Sequence, residues 1–73
     1  MALDPHADDL PQLARTIGWL RGSHSLTIPE AAALAGIACQ KWRRIEAADH
    51  DPTLTELLAL SRALRVPVSA LFH

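Results

Sequence analysis

Two capping boxes constrain this chain more than any other feature. In Thr27-Ile28-Pro29-Glu30 and again in Thr53-Leu54-Thr55-Glu56, a threonine hydroxyl can accept from the amide three residues on, while the glutamate reaches back to the threonine amide. Each box fixes where a helix begins. Breakers limit how far the helices run. Gly36 can take the left-handed conformation that closes a helix, Asp49 to Pro52 reads as a turn, and Pro67 breaks the chain before its last short turn. Little reads as strand: valine occurs only at Val66 and Val68, tyrosine is absent, and alanine and leucine dominate.

The remaining pieces are read from the same signals. Asp8 or Asp9 can cap a first helix, Pro11 is tolerated in its first turn, and Gly22 marks its exit. Leu13, Ile17 and Leu20 form its apolar face. The second helix runs through Ala31, Ala32 and Leu34 to Gly36. A third spans about Ala38 to Ala47, poorly capped because alanine offers no acceptor. The fourth is expected to turn Leu54, Leu57, Leu58 and Leu64 inward, and a last short turn holds Val68, Leu71 and Phe72, with Leu71 and Phe72 closing the core. Residues 1-12 read as an N-terminal extension and the start of helix 1, and residues 13-73 as one all-α domain.

At 73 residues a single hydrophobic core is marginal, so a second chain is an expected source of added stability. Aromatics make up only 4% of the chain, which leaves the core to aliphatic packing. Cys39 is the lone cysteine, which rules out an intrachain disulfide, fits a reducing compartment and gives no sign of thiolate reactivity. The N-terminus carries Asp4, Asp8 and Asp9 rather than the positive charge of a signal peptide, and the low-polarity run from Ala31 to Cys39 is about half a membrane span. A cytoplasmic protein with no membrane partner is the expectation. His6, His24, His50 and His73 are widely separated and lack metal-ligand spacing, so surface histidines are expected, with no metal and no cofactor. No nucleophile–base set, phosphate loop or paired carboxylate appears, so the chain reads as a non-enzyme.

Function is most legible between Leu26 and Glu46. Two short helices joined by a glycine-containing turn make a helix-turn-helix arrangement. Ile37, Trp42 and Ile45 are the inward positions of the second helix. Gln40, Arg43, Arg44 and Ala47 face outward at i, i+3, i+4 and i+7, with Cys39 and Lys41 beside them. Gln can pair bidentately with adenine and Arg with guanine, while Lys and Arg neutralise phosphates. Cys39, Gln40 and Arg44 are therefore the expected base contacts, and Lys41 and Arg43, with Thr27 at the start of the preceding helix, the expected phosphate contacts. The formal net charge of -1 conceals a basic centre: residues 1 to 14 carry -3, residues 15 to 46 carry +3 and residues 47 to 73 carry -1.

Ile17, Leu20 and Arg21, then Leu26-Thr27, Ala32, Gly36-Ile37, Ile45-Glu46, Pro52, Leu57, Ala63-Leu64 and Val66-Pro67-Val68 ending in Leu71, form an ordered and nearly gapless set. In this set the chain resembles the lambda-repressor-like (Xre/Cro/C1) helix-turn-helix DNA-binding domains over about residues 13 to 72. The resemblance implies a compact five-helix bundle that binds a pseudo-palindromic operator as a homodimer, with helix 3 in the major groove, acting as a transcriptional regulator, in the first place a repressor. It also implies an ion pair between Arg21 and Glu46. Three positions depart from the family pattern. Ile28 replaces a glutamine near the start of helix 2, Trp42 replaces a smaller buried residue, and Ala48 replaces a glycine, which predicts a different exit turn from helix 3. The competing reading is a protein-interaction module or antitoxin-like partner on the same fold, binding a protein such as a toxin or anti-repressor independently of DNA. Net acidity, Ile28 and Trp42 favour it.

Overall fold

The computed structural model describes residues 9–72. The N-terminal extension with Asp4, His6 and Asp8, the side chain of Asp9 and the terminal His73 lie outside the described residues. Four α-helices are formed in order, α1 (Asp9–Ser23), α2 (Ile28–Ala35), α3 (Cys39–Glu46) and α4 (Leu54–Leu64). The fifth segment, Val68–Phe72, is a 3-10 helix, so the five expected helices become four and one tighter turn. The segment is only five residues long, a short piece of the kind that takes the tighter i→i+3 pattern, and its first such bond runs from the Ala70 amide to Pro67 O at 2.9 Å. Both capping boxes form, with each threonine hydroxyl accepting from the glutamate amide and each glutamate accepting from the threonine amide. At α3, Ala38 makes no side-chain cap.

All four α-helices close with the same turn. The residues at the left-handed position are Ser25, Gly36, Ala48 and Arg65, with φ of 56°, 68°, 58° and 58°. The next amide in each case bonds five residues back: Leu26 to Arg21 O, Ile37 to Ala32 O, Asp49 to Arg44 O and Val66 to Ser61 O, at 2.8 to 3.1 Å. This is the Schellman arrangement, in which orphan carbonyls of the last turn are satisfied and the following residue folds back on the helix. Leu26, Ile37 and Val66 do so, packing against the core. Two expectations from the sequence are corrected by these turns. α1 passes through Gly22 and ends beyond it, because Ser25 supplies the left-handed turn. Ala48 adopts the backbone that glycine would, so the exit from α3 is this same turn.

Ile17, Trp42, Ile45, Leu60, Leu64 and Leu71 are fully buried. α2 packs against α3 and α4, α1 against α3 and the terminal 3-10 helix, and α4 against that 3-10 helix. Small residues Ala31 and Ala32 are buried on α2, which lets its neighbours approach closely. The face of α4 differs from expectation. Leu57, Leu60, Ser61 and Leu64 form its i, i+3, i+4, i+7 stripe, while Leu54 and Leu58 are 68% and 46% exposed. Leu54 is the first helical residue and overhangs the edge of the core; Leu58 lies on the flank. Ser61 is tolerated in the stripe because its hydroxyl donates to Leu58 O at 2.8 Å. Phe72, expected to close the core, is exposed, and Leu71 alone closes it.

Candidate nucleic-acid interface

The orientation of α3 is fixed by its buried side. Trp42 and Ile45 are both completely buried, and between them and α1 lies a polar clamp. The Arg21 guanidinium donates twice to the Glu46 carboxylate, from Nε to Oε2 at 2.6 Å and from Nη2 to Oε1 at 3.1 Å. A third donor, Nη1, reaches Leu26 O at 2.9 Å in the α1–α2 connection. Trp42 Nε1 donates to Glu46 Oε2 at 2.5 Å, so the one large aromatic of the core has its polar atom satisfied as burial requires. Gly18 makes room for the carboxylate: a Cβ there would stand 3.2 Å from Glu46 Oε1. The hydrogen bond and charge of Glu46 raise the Arg21 pKa above its ordinary value, against the opposing effect of burial. Arg21 thus ties α1, the following loop and α3 together.

With that side anchored, Gln40, Lys41, Arg43, Arg44 and Ala47 are exposed and Cys39 is half-buried. Arg43 makes no ion pair among the described residues. Arg44 Nε lies 3.4 Å from Asp49 Oδ2, both side chains largely exposed. Such a pair contributes about 0–1 kcal/mol, so it leaves Arg44 free to exchange partners. Lys41 is held more closely. Its Nζ sits 3.0 Å from Glu56 Oε2 at the start of α4.

Glu56 gathers more than the capping box suggests. Its Oε1 accepts from the Thr53 amide at 2.9 Å and lies 3.0 Å from His50 Nε2, while Oε2 takes Lys41. The Thr53 amide, then His50 and Lys41, hold its carboxyl down at about 2. His50 is correspondingly half-buried rather than a surface histidine. The capping role was readable from Thr53 and Glu56; the Lys41 and His50 contacts depend on how α3 and α4 meet, for which the sequence carries no local signal.

Thr27 is exposed, and its hydroxyl oxygen accepts from the Glu30 amide at 3.2 Å. The same hydroxyl retains its hydrogen for donation outward. The Thr27 amide is taken by Glu30 Oε1 at 2.8 Å, a bond that lowers the Glu30 pKa. Ile28 is half-buried and packs on the core. Among the described residues no helix is long and apolar enough to cross a membrane, and no group of three His, Cys, Asp or Glu is placed to hold a metal ion.

The architecture is shared with known proteins. A search of the curated proteins found none that matches the chain. The restriction-modification controller protein C.AhdI of Aeromonas hydrophila superposes with a TM-score of 0.86 at 25% identity, over 89% of this chain and 98% of that one. An HTH_3 family transcriptional regulator of Vibrio cholerae gives a TM-score of 0.84 at 28% identity over 89% of this chain. In that second case the match spans 36% of the larger protein. The family described as helix-turn-helix domain matches residues 12–71, and the chain belongs to this family, in its lambda-repressor-like form.

Proposed function

We propose that this protein is a sequence-specific, double-stranded DNA-binding transcriptional regulator that places α3 in the major groove. The observation that carries the reading is the two-sided character of α3. Trp42, Ile45 and the Arg21–Glu46 clamp fix one side, and Gln40, Arg43, Arg44 and Ala47 stand exposed on the other. Gln40 and Arg44, with Cys39 at the N-terminal end, are positioned for base edges; Arg43, Lys41 and the Thr27 hydroxyl take phosphates. Lys41 reaches a phosphate only by sharing or leaving Glu56. The solved relatives are a restriction-modification controller and a transcriptional regulator, in keeping with a regulatory role. The finer reading is a homodimer repressing from a pseudo-palindromic operator, with half-sites about 34 Å apart.

Selection from a random pool of duplex DNA at low salt tests this reading. It predicts a palindromic consensus with half-sites about one helical turn apart, bound with an affinity that falls steeply as salt rises. Failure to enrich any sequence would sink it in favour of a protein-binding role.

A further inference from the structure

Where α2 crosses α4, alanines leave a trough. Ala35 on one helix and Ala59 and Ala63 on the other occupy positions where larger side chains would fill the gap. The central section has a volume of about 410 Å³ and is lined by Leu34, Ala35, Ala59, Arg62, Ala63 and Arg65. A second hollow of about 290 Å³ adjoins it, sharing Ala35, Ala59 and Arg62 and reaching Gly36, Thr55, Lys41 and Glu56. At the other end a hollow of about 250 Å³ shares Leu34, Ala63 and Arg65 and reaches His24 and Leu26. From Thr55 to Arg65 this path is about 15 Å long, at 1.5 Å of rise per residue.

The chemistry of the trough is uneven. Its floor is formed by alanine side chains amid a nearly equal share of polar surface, and Leu34 beside it is 63% exposed. Its rim carries Arg62 and Arg65, both exposed. Among the described residues neither forms an ion pair or a side-chain hydrogen bond, whereas Arg21, Lys41 and Arg44 each face a carboxylate.

We propose that this trough binds a short acidic amphipathic helix of a protein partner. Two or three turns of helix match its length. Carboxylates on the helix edge would pair with Arg62 and Arg65, and a leucine-like side chain would cover the alanine floor and Leu34. Duplex DNA fits less well, because phosphates could meet the arginines but nothing on the duplex fills the alanine floor. None of the six residues lining the central section is a proposed DNA contact, whereas the Lys41 end adjoins the outward side of α3 and carries Glu56, so the acidic helix is expected to sit toward Arg65.

The peptide titration needs no operator, and any duplex DNA serves for the salt-dependence comparison. A synthetic helical peptide of about ten residues, with leucines on one face and glutamates along both edges, is titrated into the labelled domain and followed by NMR. The expected result is amide shifts at Leu34, Ala35, Ala59, Arg62 and Ala63. The double variant Arg62→Glu/Arg65→Glu should bind at least tenfold more weakly, and Leu34→Gln, at an exposed position, several-fold more weakly with the fold intact. A control peptide with lysines in place of the glutamates should not bind. The proposal is overturned if millimolar peptide moves none of these amides, or if the shifts centre on Gln40 and Arg43. It is equally overturned if the double variant leaves peptide binding unchanged and instead makes the salt dependence of DNA binding shallower, which would assign the two arginines to phosphates.

Discussion

Glu46 is the side chain on which most of the α3 geometry depends. It receives two donors from Arg21 and one from Trp42, so neutralising it strands a part-buried guanidinium. Glu46→Gln is expected to lower stability by about 2–4 kcal/mol, somewhat below the cost for a fully buried pair because both side chains retain some exposure. Denaturant unfolding measures this, and an Arg21→Met/Glu46→Leu double variant should recover only part of the loss, because Trp42 Nε1 is left without its acceptor. Glu56 works differently, through pH. Its carboxyl is held at about 2 against an ordinary 4.5, so the folded state favours the ionised form. The stability it contributes is complete above about pH 4.5 and is lost as pH falls toward 2. Glu56→Gln should therefore flatten the acid limb of the stability profile by up to one proton between those values, as followed by denaturant titration at each pH. An unchanged slope would mean that the three donors to Glu56 contribute nothing to its ionisation.

At the scale of the helices, starts were easier to read than ends or faces. The two capping boxes are local devices, complete within four residues, and Thr27–Glu30 and Thr53–Glu56 were legible for that reason. Three of the four helix ends use a left-handed residue that is not glycine, so Gly22 misled and Ser25, Ala48 and Arg65 gave no signal. The face of α4 could not be read from leucines alone, because Leu54, Leu57, Leu58, Leu60 and Leu64 fit more than one stripe. The crossing with α2, where the small residues sit, decides between stripes. The outward side of α3 was legible because polar and apolar residues alternate at clean helical spacing, but the ties of Lys41 to Glu56 and of Arg44 to Asp49 depend on neighbouring elements. Ala48 gives this scale its prediction. A left-handed alanine carries about 1–2 kcal/mol of steric cost that glycine avoids, partly offset by glycine's greater freedom in the unfolded chain. Ala48→Gly should stabilise the domain by about 1 kcal/mol, raising Tm by about 4–8 °C. A lowered Tm would show that residue 48 does not occupy the left-handed region in the folded domain.

For the whole molecule, the small net charge and the helix-turn-helix geometry fit together once the charges are located. The three cations of α3 lie in one eight-residue helix, and two of them are balanced by Glu56 and Asp49. Such balancing lowers the positive potential of the face and, with it, sequence-independent attraction to DNA. In the proposed function, discrimination then rests on Gln40 and Arg44. Whether α3 reads bases is accordingly the deciding question for the proposed function. The most direct measurement is the affinity of the native chain and of Arg44→Ala for a selected operator and for each single-base variant of it. The expected result is a loss of about 1–3 kcal/mol on the operator, with discrimination relaxed at one base pair per half-site and retained elsewhere. If Arg44→Ala binds the operator more weakly yet discriminates every position as the native chain does, Arg44 contacts only the backbone and the assignment of base reading to this face of α3 is contradicted.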